Sequence, residues 1–208
     1  MTNQAMYKLT YGLFVLTAKS GEKQNGCIIN TAAQVTSSPN RISIAVNKAN
    51  FTHDMIMETG IFNISVISEE ATFDLFERFG FQSGRETDKF EGMTEVEKAQ
   101  NGVYYITKGT NAFLSGKVVK TVDLDTHTMF IAEVTDMEVL GEAESATYGY
   151  YQENIKPKPQ KTVAPEEKGK TVWRCTVCGY EYEGDPIPED FICPWCKHPA
   201  SDFEKIVK

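Results

Sequence analysis

The chain has 208 residues, 41% of them hydrophobic and 24% charged, with a formal net charge of −8. That length allows one domain of about 150 residues beside a much smaller one, and the composition is that of a globular protein rather than a disordered one. Of the charge, −7 falls in residues 1–152, +2 in 153–170 and −3 in 171–208, an acidity that argues against nucleic acid or an anionic membrane as a partner.

Residues 11–17, YGLFVLT, form an apolar run that reads as a strand, ended by the polar stretch AKSGEKQNG, in which Asn25-Gly26 is the turn signal. CIINTAAQVT and RISIAVN read as two further strands separated at Pro39 and Asn40. Asn50 is placed to cap a helix over FTHDMIMETG, with Gly60 suited to the left-handed residue that ends it. IFNISVIS alternates as a strand. EEATFDLFERFG, with acids at its start, reads as a second helix, and GFQSGRETDKFEG as a loop. FLSGKVVKTVDL and HTMFIAEVTDMEVL are two long strands turning near Asp125. The expected class is α+β: mainly antiparallel strands closed or half-closed into a barrel, with two helices packed outside.

Residues 153–170 contain Pro157, Pro159 and Pro165, five lysines and almost no large apolar side chain. Such a segment cannot form a core and is expected to act as a semi-extended tether between domains at 1–152 and 171–208.

The last segment carries two CxxC pairs, Cys175/Cys178 and Cys193/Cys196, with 14 residues between them. Four thiolates at this spacing make a soft tetrahedral site, and spacing alone admits zinc or iron. Six aromatics, Trp173, Tyr180, Tyr182, Phe191, Trp195 and Phe203, surround them, supplying apolar area that so small a unit otherwise lacks. WxCxxCGY, CPxC and SDFE together resemble the short form of rubredoxin, which implies one iron per chain on the four cysteines. Rubredoxins usually place Gly after each CxxC. Here Gly179 follows the first pair but Lys197 follows the second, which puts the second knuckle's hydrogen bonding to sulfur in question. The fifth cysteine, Cys27, has no partner left over, the pattern of a reducing compartment. The N-terminal residues show no signal-peptide pattern, and no run approaches the ~18 apolar residues of a membrane span, so a cytoplasmic location is expected.

No GxGxxG, Walker or HExxH motif is present, and His53, His127 and His198 stand isolated. GLFVLTAKSGEKQNGCIINTAAQVTSSPNRISIAVNKANFTHDMI, then SGRETDKF, then THTMFIAEV, resemble in order and spacing the flavin reductase family of split-barrel FMN-binding proteins. The resemblance implies a flavin-contacting loop at Cys27, Ile28, Ile29, Asn30 and Thr31. It implies a phosphate- and ribityl-binding segment at Ala45, Asn47, Lys48, Asn50, Phe51 and Thr52, and a closing loop carrying Ser83, Arg85 and Lys89. His127 matches a histidine near the nicotinamide, and the family's interfacial FMN site implies a homodimer. Lys48, Arg85 and Lys89 suit a dianionic phosphate. Taken singly, Lys48 and Lys89 also suit a solvated surface, Phe51 a core position and Cys27 a small buried hydrophobe.

The two halves together resemble the high-molecular-weight rubredoxin type of fusion. That implies electron flow from NAD(P)H through FMN to the chain's own iron and on to an acceptor such as a flavodiiron protein. Two alternatives remain at this point: a plain flavin reductase with a structural zinc ribbon, and a non-enzymatic electron relay.

Overall fold

The computed structural model describes residues 5, 8–157, 171–176, 180–193 and 199–207, which fall in two units, Met1–Lys156 and Pro157–Lys208. In the first, β1 (Phe14–Ser20) and β2 (Lys23–Ile29) form an antiparallel hairpin in which Ser20 faces Lys23. The turn is therefore Gly21-Glu22, with Gly21 at φ +56°, and not the expected Asn25-Gly26. Those two residues lie inside β2, opposite Ala18 and Thr17. Close packing explains the glycine there: a Cβ on Gly26 would stand 3.0 Å from the Phe79 ring and 3.1 Å from the Leu16 carbonyl oxygen.

Residues 27–36 do not make one strand. β2 ends at Ile29, and β3 (Ala33–Ser37) begins after a three-residue break and pairs with β4 (Asn40–Asn47) across the expected turn at Pro39. Further on come α1 (Phe51–Thr59), β5 (Ile61–Ile67), α2 (Phe73–Gly80), the short pair β6 (Val96–Lys98) and β7 (Tyr104–Ile106), and the long ribbon of β8 (Thr110–Leu124) and β9 (His127–Val139). The ribbon turns at Asp125, as expected, with φ +58°.

The main sheet runs β2-β1-β5-β8-β9-β4-β3, with every pairing antiparallel. Chain length shows that it is curled. β2 and β3 are the two edges, about 29 Å apart in a flat seven-stranded sheet, yet the four Cα steps from Ile29 to Ala33 span at most about 14 Å. The sheet must bend round until its edges nearly meet, leaving a split barrel.

Both faces of β1 are buried. Leu16 and Ala18 join Cys27, Ile29, Ile44, Val46, Phe62, Ile64 and Phe130 in the main core, whereas Val15 joins Leu13, Ile67, Phe76, Phe79, Phe90 and Tyr151 in a second one. α2 packs outside, in that second core, through Phe76 and Phe79. α1 likewise packs by one face, as expected of an outer helix: Met55 and Ile56 enter the main core while Asp54, Met57 and Glu58 are exposed. Gly60 ends α1 as expected, at φ +69° with its N–H on the Ile56 carbonyl at 2.8 Å. Asn50 sits at the N-cap position but makes no side-chain capping bond. After the ribbon, α3 (Tyr148–Tyr150) and a π-helical turn, Tyr151–Ile155, pack Tyr151 on Phe76, centroids 4.3 Å apart. Residues 153–155 therefore belong to this unit rather than to a tether beginning at 153. Of the expected tether, 153–170, residues 158–170 lie outside the described residues.

The second unit has a three-stranded sheet, β11-β10-β12, of β10 (Thr171–Cys175), β11 (Glu181–Tyr182) and β12 (Phe203–Val207). Its small core holds Cys175, Cys193 and Phe203, packed by Trp173, Tyr180, Tyr182, Ile187 and Phe191. Among the described residues of the chain no helix is long and apolar enough to cross a membrane.

Candidate functional site

β2, the loop 83–89 and the adjoining ends of β4 and β9 meet at the first turn of α1. Asn25 is buried, and its amide donates to Thr52 Oγ1 at 2.9 Å. Thr52 also bonds the Cys27 thiol, whose pKa is nonetheless pushed up, because burial outweighs that bond and the charge of Lys89. Ile29 packs into the main core and Ile28 against the second one. The side chains of Cys27, Ile28 and Ile29 thus serve packing, and Asn30 beyond them is half-buried. Thr31 locks β4: its Oγ1 donates to the Ala45 carbonyl at 2.7 Å and lies 3.2 Å from the Ala45 N–H.

The loop 83–89 is anchored on β2. A Cβ on Gly84 would fall 2.0 Å from Asn25 Oδ1, so only glycine fits that approach. Lys89, 3% exposed, donates to the Gly26 carbonyl at 2.9 Å and to the Phe79 carbonyl at 3.2 Å. Burial draws its pKa below the usual lysine range. That burial rules out the solvated-surface alternative for Lys89: the ammonium bonds backbone carbonyls and pins the loop. Ser83 Oγ accepts the Arg85 N–H at 3.3 Å within the loop.

Arg85 does reach the site. Its guanidinium holds Asp54 at 2.6 Å and lies 5.0 Å from the centre of the Phe51 ring, against which Lys23 Nζ also stands at 4.6 Å. Arg85 first and His53 second hold the Asp54 carboxyl below its usual range. Lys48 is paired with Asp123 at 2.8 Å on the surface. Asn47 Oδ1 accepts the Ala49 N–H at 2.9 Å, and Asn47 faces His127 across the β4/β9 ladder. His127, half-buried, has Nδ1 2.9 Å from Thr126 Oγ1.

Sequence reasoning missed Lys23, Asn25, Asp54 and His53. His53 looked isolated, yet its Nε2 meets Thr128 Oγ1 at 2.9 Å and its Nδ1 meets Asp54 at 3.2 Å. Its principal partner is 75 positions away, so no local pattern signalled it. A cavity of about 200 Å³ lies apart from these residues, between α2 and residues 92–95 and 106–109.

In the C-terminal unit, β10 and the chain before Pro199 bring Cys175 and Cys193, 1% and 0% exposed, into one aromatic-lined core. The Cys175 N–H bonds the Tyr180 carbonyl at 2.8 Å, closing the first knuckle's loop. Cys178, Gly179, Trp195, Cys196, Lys197 and His198 lie outside the described residues. Two thiols delivered from separate segments to one dry, aromatic-lined core are the donor chemistry that a soft metal ion takes, so the described part of the site fits it.

The model for the flavin reductase like domain matches residues 6–158, and that for the rubrerythrin, rubredoxin-like domain matches residues 173–204. A high molecular weight rubredoxin of Moorella thermoacetica is 39% identical, with 99% of this chain and all of that protein covered. An NAD(P)H ferric-chelate reductase of Archaeoglobus fulgidus is 40% identical over 78% of this chain and 95% of its own. Among solved structures, an NADH:FAD oxidoreductase of Streptomyces globisporus C-1027 superposes with a TM-score of 0.62 at 21% identity, covering 70% of this chain and 85% of that one, a likeness of fold.

Proposed function

The chain belongs to the flavin reductase-like family and carries a rubredoxin-like domain, and from that premise we propose that it draws electrons from NAD(P)H at FMN and passes them singly to an iron held by Cys175, Cys178, Cys193 and Cys196. It is an NAD(P)H oxidoreductase of the electron-transfer kind. The observation that carries the finer reading is the meeting of β2, β4, β9 and the loop 83–89 at the start of α1, in a chain whose other unit buries Cys175 and Cys193 together. A flavin, when bound, supplies the exchange between a two-electron hydride donor and one-electron acceptors.

The chain's residues supply the rest. The backbone of residues 27–31 and Asn30 line one side of the site; Thr31 fixes β4 so that Ala45 and Asn47 line another. Phe51, Thr52 and uncapped Asn50 present the start of α1, where N–H groups without intrahelical partners favour an anion. Arg85, oriented by Asp54, covers the site from the loop that Lys89 pins, and His127 at the start of β9 borders the nicotinamide position. In the other unit the aromatic core excludes water from the sulfurs. The reading includes domains divided by a tether after Lys156, a flavodiiron protein as downstream acceptor, and a homodimer. Exposed Val119 and Leu124 on β8 and Met137 and Val139 on β9 favour the homodimer, because a second copy would cover them.

The test is the visible spectrum and metal content of the purified protein, followed by anaerobic NADH or NADPH. Flavin and ferric thiolate bands should both bleach, and Cys193→Ser should remove the thiolate band alone. Zinc with flavin and no iron would replace this reading with a plain flavin reductase bearing a zinc ribbon. Bands that NAD(P)H does not bleach would leave an electron relay without a hydride-donor site.

A further inference from the structure

Each of the three cations expected at the site has a partner: Lys48 is held by Asp123, Lys89 by two carbonyls beneath the loop and Arg85 by Asp54. A cation that the family resemblance did not mark stands beside Arg85. Lys23 opens β2 directly after the Gly21-Glu22 turn, is exposed, and among the described residues makes no ion pair. Its Nζ lies 4.6 Å from the centre of Phe51, and Arg85 approaches the same ring at 5.0 Å. The two cations therefore lie no further apart than the sum of those distances. Asp54, paired with Arg85 at 2.6 Å and also meeting His53 Nδ1 at 3.2 Å, is the carboxylate that answers them. The group of Lys23, Arg85 and Asp54 thus holds one uncompensated positive charge at the start of a helix whose cap position makes no side-chain bond. Both cations sit on side chains long enough to swing onto an anion, and Phe51 keeps them together by cation–π attraction in the meantime.

We propose that Lys23 and Arg85, gathered on Phe51, clamp the phosphate group of the bound nucleotide, with Lys23 as the residue that discriminates phosphorylated from unphosphorylated ligand. The inference rests on the flavin reading above. Arg85 offers a planar fork fixed by Asp54, and Lys23 contributes a mobile point charge from the opposite segment of chain. A phosphate monoester dianion of FMN and the phosphates of a nicotinamide dinucleotide share this chemistry, and affinity measurements separate them.

The apo-protein is titrated with FMN and with riboflavin by quenching of flavin fluorescence, and with NADPH and NADH in the flavin-loaded protein, for wild type, Lys23→Gln and Lys23→Arg. Lys23 is exposed beside a turn, so its replacement leaves the fold intact, which circular dichroism verifies. Lys23→Gln should weaken FMN about tenfold, the size of one charge-assisted hydrogen bond, leave riboflavin unchanged, and be largely rescued in Lys23→Arg. Unchanged FMN binding with an equal loss for NADPH and NADH would support the clamp and assign it to the dinucleotide. Equal effects on FMN and riboflavin, or no effect on any of the four ligands, would overturn it. Failure of the wild type to bind either flavin would instead overturn the flavin reading itself.

Discussion

Replacing Lys89 by methionine separates the role given by the structure from the one its charge suggested. The ammonium is 3% exposed and donates to the Gly26 and Phe79 carbonyls, tying the loop 83–89 to β2 and to the end of α2. Each bond from a charged donor contributes about 1.5–3 kcal/mol. Methionine recovers part of that by burying a thioether, worth at most about 1.5–3 kcal/mol, and relieves the desolvated charge. The remainder is a loss of about 2 kcal/mol, or roughly 5 °C in Tm for a domain of this size. Urea denaturation of the flavin-free protein reads it directly. Burial lowers the Lys89 pKa from 10.5, so above the lowered value the unfolded chain binds more protons than the native one. Wild-type stability relative to the variant should therefore climb with pH from the lowered native pKa up to the ordinary lysine range. A flavin-free variant within about 0.5 kcal/mol of wild type that had lost most of its FMN affinity would refute the anchoring role and support Lys89 as a phosphate ligand.

Gly84→Ala would drive a Cβ to 2.0 Å from Asn25 Oδ1, so the loop must lift; we expect weaker flavin binding and a loss of about 1–3 kcal/mol, checked by titration and denaturation. Burial raises the Cys27 pKa above 9.0, so the native state keeps a proton that the unfolded chain releases, and stability falls as pH rises from 9.0 through the native value. Cys27→Ala should remove that part of the alkaline decline, and an unaltered pH profile would argue against a fully buried thiol. Sedimentation should give about twice the chain mass of 23.3 kDa, and a monomer with full flavin occupancy would exclude the interfacial site.

The sequence by itself determined the features that depend on neighbours along the chain. Strand runs, the helix ended by Gly60, the Asp125 turn and the paired cysteines were all legible, because periodicity, φ > 0 requirements and CxxC spacing act within a few residues. The order of motifs carried the family. Tertiary structure decided what each polar residue faces. Asn25-Gly26 has turn chemistry, but a two-residue turn at Gly21-Glu22 sets the hairpin register, and the glycine answers the Phe79 ring instead. Lys89 and Lys23 are the same residue type in an acidic domain. Only the curl of the sheet, forced by the short link from β2 to β3, and the fold of the loop 83–89 onto β2 bury one cation on carbonyls and leave the other beside Phe51. His53 meets Thr128 for the same reason: contacts across 75 residues are fixed by sheet pairing, and sheet pairing leaves no mark in the local sequence.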